Sequence, residues 1–176
     1  MTAGPIWHLA RRFVGSLRPG PPPVDEERWA VDHLRPGEVD LWRRMSNPDR
    51  RHAVTVGRAV EAELGPDADR PVVAAALLHD VGKVVAGFRT PARVVATVVW
   101  AVVDDDRRAD RWVDATWPPL RRLAQYRRHP ELGAELLAAA GADPLTVAWA
   151  AEHHRPADRW TVPPRVGAVL KACDDD

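Results

Sequence analysis

Residues Val72 to Lys83 read Val-Val-Ala-Ala-Ala-Leu-Leu-His-Asp-Val-Gly-Lys. The first seven are apolar without interruption, which suits a helix buried on every side rather than an amphipathic one. His79 and Asp80 follow directly, and a charged pair after an apolar helix is costly unless it is paired or metal-bound. Gly82 suits a chain leaving the helix in a conformation that other residues avoid. The spacing therefore predicts a helix over 70–80 that ends with the dyad at the rim of a core, where a ligand can reach it.

Outward from this stretch, the punctuation is mostly proline, which is favoured in the first helical turn because its missing N–H is not needed there. Pro36, Pro48, Pro71, Pro91, Pro130 and Pro144 each precede an apolar-periodic or Ala-rich segment, with capping types before two of them, Asn47 and Asp143. The predicted helices span about 5–17, 26–34, 37–46, 48–63, 70–80, 91–103, 107–113, 118–128, 130–140, 144–153 and 163–174. No alternating run reaches strand length between turn signals, and there is no internal repeat. The fold class expected is all-α. Residues 1–44 read as an N-terminal helical extension with a Pro-rich connector, Arg18-Pro-Gly-Pro-Pro-Pro-Val24, and 45–176 as the main domain.

Four further histidines and one aspartate suit a site shared with the dyad. His52 lies on the predicted helix 48–63, with Val56, Ala59 and Val60 on a compatible face. His129 precedes Pro130 at the start of a helix, His153 and His154 end the helix that begins at Pro144, and Asp174 lies in the last helix. Imidazole nitrogen and carboxylate oxygen without thiolate suit Mn, Fe, Co, Ni or Zn and fit Ca or Mg poorly.

The order His52, His79-Asp80, His129, His153-His154, Asp174 resembles the HD superfamily of metal-dependent phosphohydrolases. Leu77-Leu-His-Asp-Val-Gly-Lys83 is similar to that family's signature, and His129-Pro-Glu-Leu-Gly-Ala-Glu-Leu-Leu137 with Glu152-His-His-Arg155 is similar to its two-metal branch. That branch includes the HD-GYP cyclic-di-nucleotide phosphodiesterases. This chain reads Arg155-Pro-Ala-Asp-Arg-Trp-Thr-Val-Pro-Pro164 where those enzymes carry Gly-Tyr-Pro. The resemblance covers roughly 45–174 and implies an HD-domain-like helical bundle with the metal site in its core. It implies that His52, His79, Asp80 and Asp174 hold one divalent transition-metal ion (Fe, Mn, Co or Ni) and that Asp80 bridges to a second, completed by His129, His153 and His154. It further implies that Asp80 and Lys83 serve catalysis, with Lys83 and Arg155 meeting substrate phosphate. The implied reaction is hydrolysis of a nucleotide, a cyclic (di)nucleotide or another small phosphate ester by a metal-activated hydroxide. Asp174 lies two residues from the end of the sequence, where chains fray unless tied down. Either metal binding orders it, or Asp175 or Asp176 substitutes, or the first metal site is weak.

The remaining features read more plainly. His8 and His33 are expected as ordinary core or surface residues. The acidic run Asp104-Asp105-Asp106 with Asp110, and the arginines Arg121, Arg122, Arg127 and Arg128, are expected as solvated faces. The eight tryptophans are expected as core anchors and Cys173 as a small buried residue. A net charge of zero over 176 residues argues against general nucleic-acid binding, and one cysteine excludes an internal disulfide. Val94–Val103 is about half the roughly 20 residues a membrane span needs, so it reads as a buried helix or an interface in a homo-oligomer. No signal peptide is read at the N-terminus, and a soluble, cytoplasmic protein is expected; its Ala, Val, Pro and Arg usage is that of a GC-rich bacterial gene. Two other functional classes compete with the enzyme: a non-catalytic metal-containing signalling or ligand-sensing module, and a helical interaction domain without metal.

Overall fold

The computed structural model describes residues 20–88, Ala96 and 110–175. The helices predicted over 5–17 and 91–103 (Ala96 apart), His8, Asp104–Asp106 and Asp176 lie outside the described residues. Among the described residues the chain is helical without a strand. The helices are α1 (Val24–Asp32), α2 (Pro36–Arg44), α3 (Asn47–Leu64), α4 (Arg70–Leu78), α5 (Lys83–Ala86), α6 (Pro118–Arg127), α7 (His129–Ala139), α8 (Pro144–Glu152) and α9 (Pro164–Asp175). No described helix is long and apolar enough to cross a membrane.

Capping chemistry sets the boundaries. Ser46 accepts a hydrogen bond from the Asp49 amide, Asp69 from that of Val72 and Asp143 from that of Leu145, each satisfying an amide the first turn leaves unpaired. Ser46 rather than Asn47 is thus the cap of α3. Helix α1 starts two residues earlier than predicted, because the Pro23 carbonyl already accepts the Glu27 amide at 2.8 Å. The one-turn helix α5 carries no periodic pattern and was not expected from the sequence.

α4 lies between α3 and α8, α9 covers α3, and α7 packs on α8. Its central place explains its composition: every residue from Val72 to Leu78 is buried. One core cluster joins Ala30, Leu41 and Trp42 of the first two helices to Val54, Leu77 and Leu137; a second gathers Val56, Val60, Val72, Trp149 and Leu170. Ala59 is exposed, so the buried face of α3 runs through Val56 and Val60 without it. Trp42 and Trp149 are the core anchors expected of tryptophan, whereas Trp117 is exposed.

The helix predicted to run to residue 80 ends at Leu78. Bonds three residues back, from the Val81 amide to the Leu78 carbonyl and from Lys83 to Asp80, tighten the chain into a turn before α5. Gly82 takes ordinary right-handed helical angles, φ −61° and ψ −20°, so the expectation of an unusual conformation is corrected. Its requirement is space. A Cβ there would lie 1.9 Å from the His129 carbonyl oxygen and 2.6 Å from the Gly133 nitrogen, so only glycine lets this turn lie against the start of α7.

Candidate metal centre

Five elements bring the predicted residues together. α3 supplies His52, the turn after α4 His79 and Asp80, the first residue of α7 His129, the end of α8 His153 and His154, and α9 Asp174. The imidazole rings form a contiguous group. Centroid separations are 5.6 Å from His52 to His79, 5.3 Å from His79 to His153, 5.5 Å from His129 to His153 and 4.0 Å from His153 to His154.

Three of the rings are oriented by their own main chain. Nδ1 of His79, His129 and His153 lies 2.8–2.9 Å from the carbonyl three residues back, at Ala76, Tyr126 and Ala150. A carbonyl only accepts, so Nδ1 must donate, and Nε2 is turned towards the other members of the group. Among the described residues the buried Nε2 atoms of His79 and His153 make no hydrogen bond. Buried polar atoms are almost always satisfied, so two neighbouring nitrogens with carboxylates near them but no hydrogen bond call for an explanation. A second ring nitrogen fixed by a main-chain carbonyl is what orients histidine as a metal ligand.

Asp80 stands between two sets. Its Oδ1 is 3.2 Å from His129 Nε2 and 3.8 Å from His153 Nε2, and its Oδ2 is 3.5 Å from His79 Nε2. Lys83 Nζ contacts the same Oδ2 at 2.5 Å. Asp174 is buried, with Oδ1 2.9 Å from His52 Nε2 and 3.4 Å from His79 Nε2. It is tied into α9 and into the site, while Asp175 pairs with Lys171 on the surface. Two groups have donor atoms close enough to hold one cation each: His52, His79 and Asp80, and His129, His153 and His154. The described residues thus offer two candidate cation sites, with Asp174 beside the first.

The electrostatics separate the two groups. Burial alone would raise the Asp80 carboxyl pKa, but the charges of Lys83 and His79 and the contact with His129 outweigh it and hold it well below the usual range. Burial likewise acts upward on Asp174, and the bond with His52 and the contact with His79 outweigh it, so this carboxyl is also held low. Burial works against charge on His79, yet the flanking Asp80 and Asp174 lift it to about 10. Lys83 is raised too, because the Asp80 charge outweighs its burial. His153 is pushed well below its ordinary value by burial and by the charges of His79 and His154. His154, although one side of it faces solvent, is lowered to about 4 by burial and by His129. Without ions, therefore, Lys83 and protonated His79 balance the two carboxylates, and His153 and His154 stay neutral.

Arg155 lies on the rim, its Nη2 4.0 Å from Glu131 Oε1. Arg121 and Arg122 are exposed, as expected of a solvated face, whereas Arg127 and Arg128 are half-buried, and the half-buried His33 donates from Nδ1 to the Trp29 carbonyl. Cys173 is only half-buried. Sequence reasoning assigned no role to Glu152, a buried carboxylate whose two oxygens accept from the amide and the hydroxyl of Thr161. Its signals were its place in the Glu152-His-His-Arg155 motif and an acidic residue closing a largely apolar α8.

The family model described as HD domain matches residues 51–175. No curated protein and no solved structure matches the chain.

Proposed function

This chain belongs to the HD domain superfamily of metal-dependent phosphohydrolases, and from that premise we propose that it hydrolyses a small phosphate ester at a two-ion centre. The substrate class is a nucleotide, a cyclic (di)nucleotide or a comparable phosphate ester. The observation that carries the reading is Asp80, whose two oxygens face two separate histidine sets, each with a buried Nε2 that makes no hydrogen bond.

In this reading His52, His79, Asp80 and Asp174 hold one divalent transition-metal ion. His129, His153 and His154 hold the second, with Asp80 shared. Two such cations would supply a water of lowered pKa and polarise the phosphoryl oxygen. The remaining work is positioning and charge compensation, which is most of what phosphoryl transfer asks of a protein. Lys83 keeps Asp80 ionised and turned inward, and its ammonium offers a point charge to an incoming phosphate. Arg155, held only loosely by Glu131, meets a phosphate oxygen from the rim.

The test is elemental analysis of protein purified without a metal-binding tag, followed by hydrolysis of a generic phosphodiester and a nucleotide panel with added Mn. About two ions per chain and Mn-dependent turnover are expected. Asp80→Ala should lose both. Full metal content and full turnover in that variant would sink the proposal. Metal without turnover on any substrate would favour a sensing module.

A further inference from the structure

His154 differs from the other buried-site histidines in how it is held. His79, His129 and His153 are tethered through Nδ1, and His52 is pinned by Asp174. Among the described residues the hydrogen-bond contact of His154 is with His129 Nε2, at 3.3 Å, itself a member of the site. Its position must come from its backbone, which lies between the end of α8 and the loop leading to α9. Glu152 closes that loop. It accepts from the Thr161 amide at 2.7 Å and the Thr161 hydroxyl at 2.8 Å, while its own carbonyl accepts from the Arg155 amide at 2.7 Å. The Trp160 indole donates to the Arg155 carbonyl and meets Trp149 edge-on, so both sides of the His153-His154 pair are fixed. Gly167 makes room for Trp160; a Cβ there would lie 2.7 Å from its ring.

We infer that Glu152 is the positioning residue for His154, acting through the Thr161 clamp, and that it makes the His129, His153 and His154 set a preformed ion site. This rests on the two-ion reading above. Glu152 is not a ligand in this arrangement, because both of its oxygens are occupied by Thr161. A partner that orients a metal ligand characteristically changes affinity by about 10–100-fold when removed.

The experiment titrates chelator-treated protein with Mn alone, following free Mn by electron paramagnetic resonance, and records the melting temperature of the metal-free protein in parallel. In Glu152→Ala one Mn step should weaken by about 10–100-fold while the other, held by His52, His79, Asp80 and Asp174, stays within about twofold. Glu152→Gln should restore the weakened step, because its amide can accept the Thr161 N–H and donate to a rotated Thr161 hydroxyl. Should Glu152→Ala fail to fold, Thr161→Val removes only the hydroxyl bond and should weaken the same step by about tenfold. Equal weakening of both steps with a lowered melting temperature assigns Glu152 a purely structural role and overturns the inference. Two unchanged steps also overturn it. A wild-type chain that takes up no Mn removes the two-ion reading itself, and the inference with it.

Discussion

Two dyads end two helices that pack against each other. His79-Asp80 follows α4, and His153-His154 follows α8. In each, the first residue is a buried histidine whose Nδ1 donates to the carbonyl three residues back, and the second residue reaches the site. The surroundings then diverge. His79 has Asp80 and Asp174 beside it and holds a proton tightly, whereas His153 sits among other imidazoles and stays neutral. The turn after α4 is fixed by backbone packing, Gly82 against α7, and the turn after α8 by the Glu152–Thr161 clamp. The same local geometry thus serves opposite charge states, and the second residue of each pair decides which.

The comparison breaks most visibly at Gly82. Gly82→Ala should destabilise the protein by about 3 kcal/mol or more, because its Cβ meets main chain that cannot move aside. Gly141→Ala, where φ is +72° and nothing lies within 4 Å, should cost only about 1–2 kcal/mol. Urea midpoints compare the two, and equal shifts would show that the contact with α7 relaxes.

The opposed charge states should appear in the pH dependence of the chelator-treated protein. His79 has a folded pKa of about 10 against 6.5 unfolded, so its contribution is complete below about 6.5 and lost as pH rises towards 10. His154 has a folded pKa of about 4, so the unfolded chain binds more protons between 4 and 6.5, and stability is lost as pH falls through that window. His153 acts in the same direction. Stability should therefore peak near pH 6.5. Uptake of Mn should release a proton from His79 and strengthen by up to about tenfold per pH unit above pH 7. A stability curve still rising from pH 7 to 9 would contradict the assignment.

The smallest effect separates the members of the second dyad. His153→Ala empties a fully buried position and should cost about 2 kcal/mol of metal-free stability. His154→Ala, at the exposed mouth, should stay within about 0.5 kcal/mol while still weakening Mn uptake. Comparable stability losses would mean that His154 is more enclosed than its solvent-facing side suggests.

Much of this arrangement was legible in the sequence because it is written locally. Prolines such as Pro36, Pro71, Pro130 and Pro144 do lie in first turns, and the uniform apolarity of Val72–Leu78 marks the central helix. The order of the histidines made a shared site readable before any geometry. What was not legible depends on partners distant in the chain. Gly82 owes its identity to a carbonyl 47 positions later, Glu152 to a threonine beyond the histidine pair, and the end of α4 at Leu78 to a turn stitched by Asp80 and Lys83. Periodicity reports which face is apolar, not which backbone comes close. The exposed Ala59 shows the complementary error, since a small apolar residue satisfies the pattern wherever it stands.

The carbonyl tethers have a thermodynamic consequence. Side chains recruited from solvent lose rotamer freedom when an ion binds, but His79, His129 and His153 have already lost theirs on folding. Ion capture then leaves the side-chain entropy of these three nearly untouched. Its heat and entropy come from exchanging the cation's water for imidazole and carboxylate ligands and from moving the His79 proton to buffer. Calorimetric enthalpies should therefore scale with the ionisation enthalpy of the buffer chosen, and the protein's own contribution is the intercept that remains.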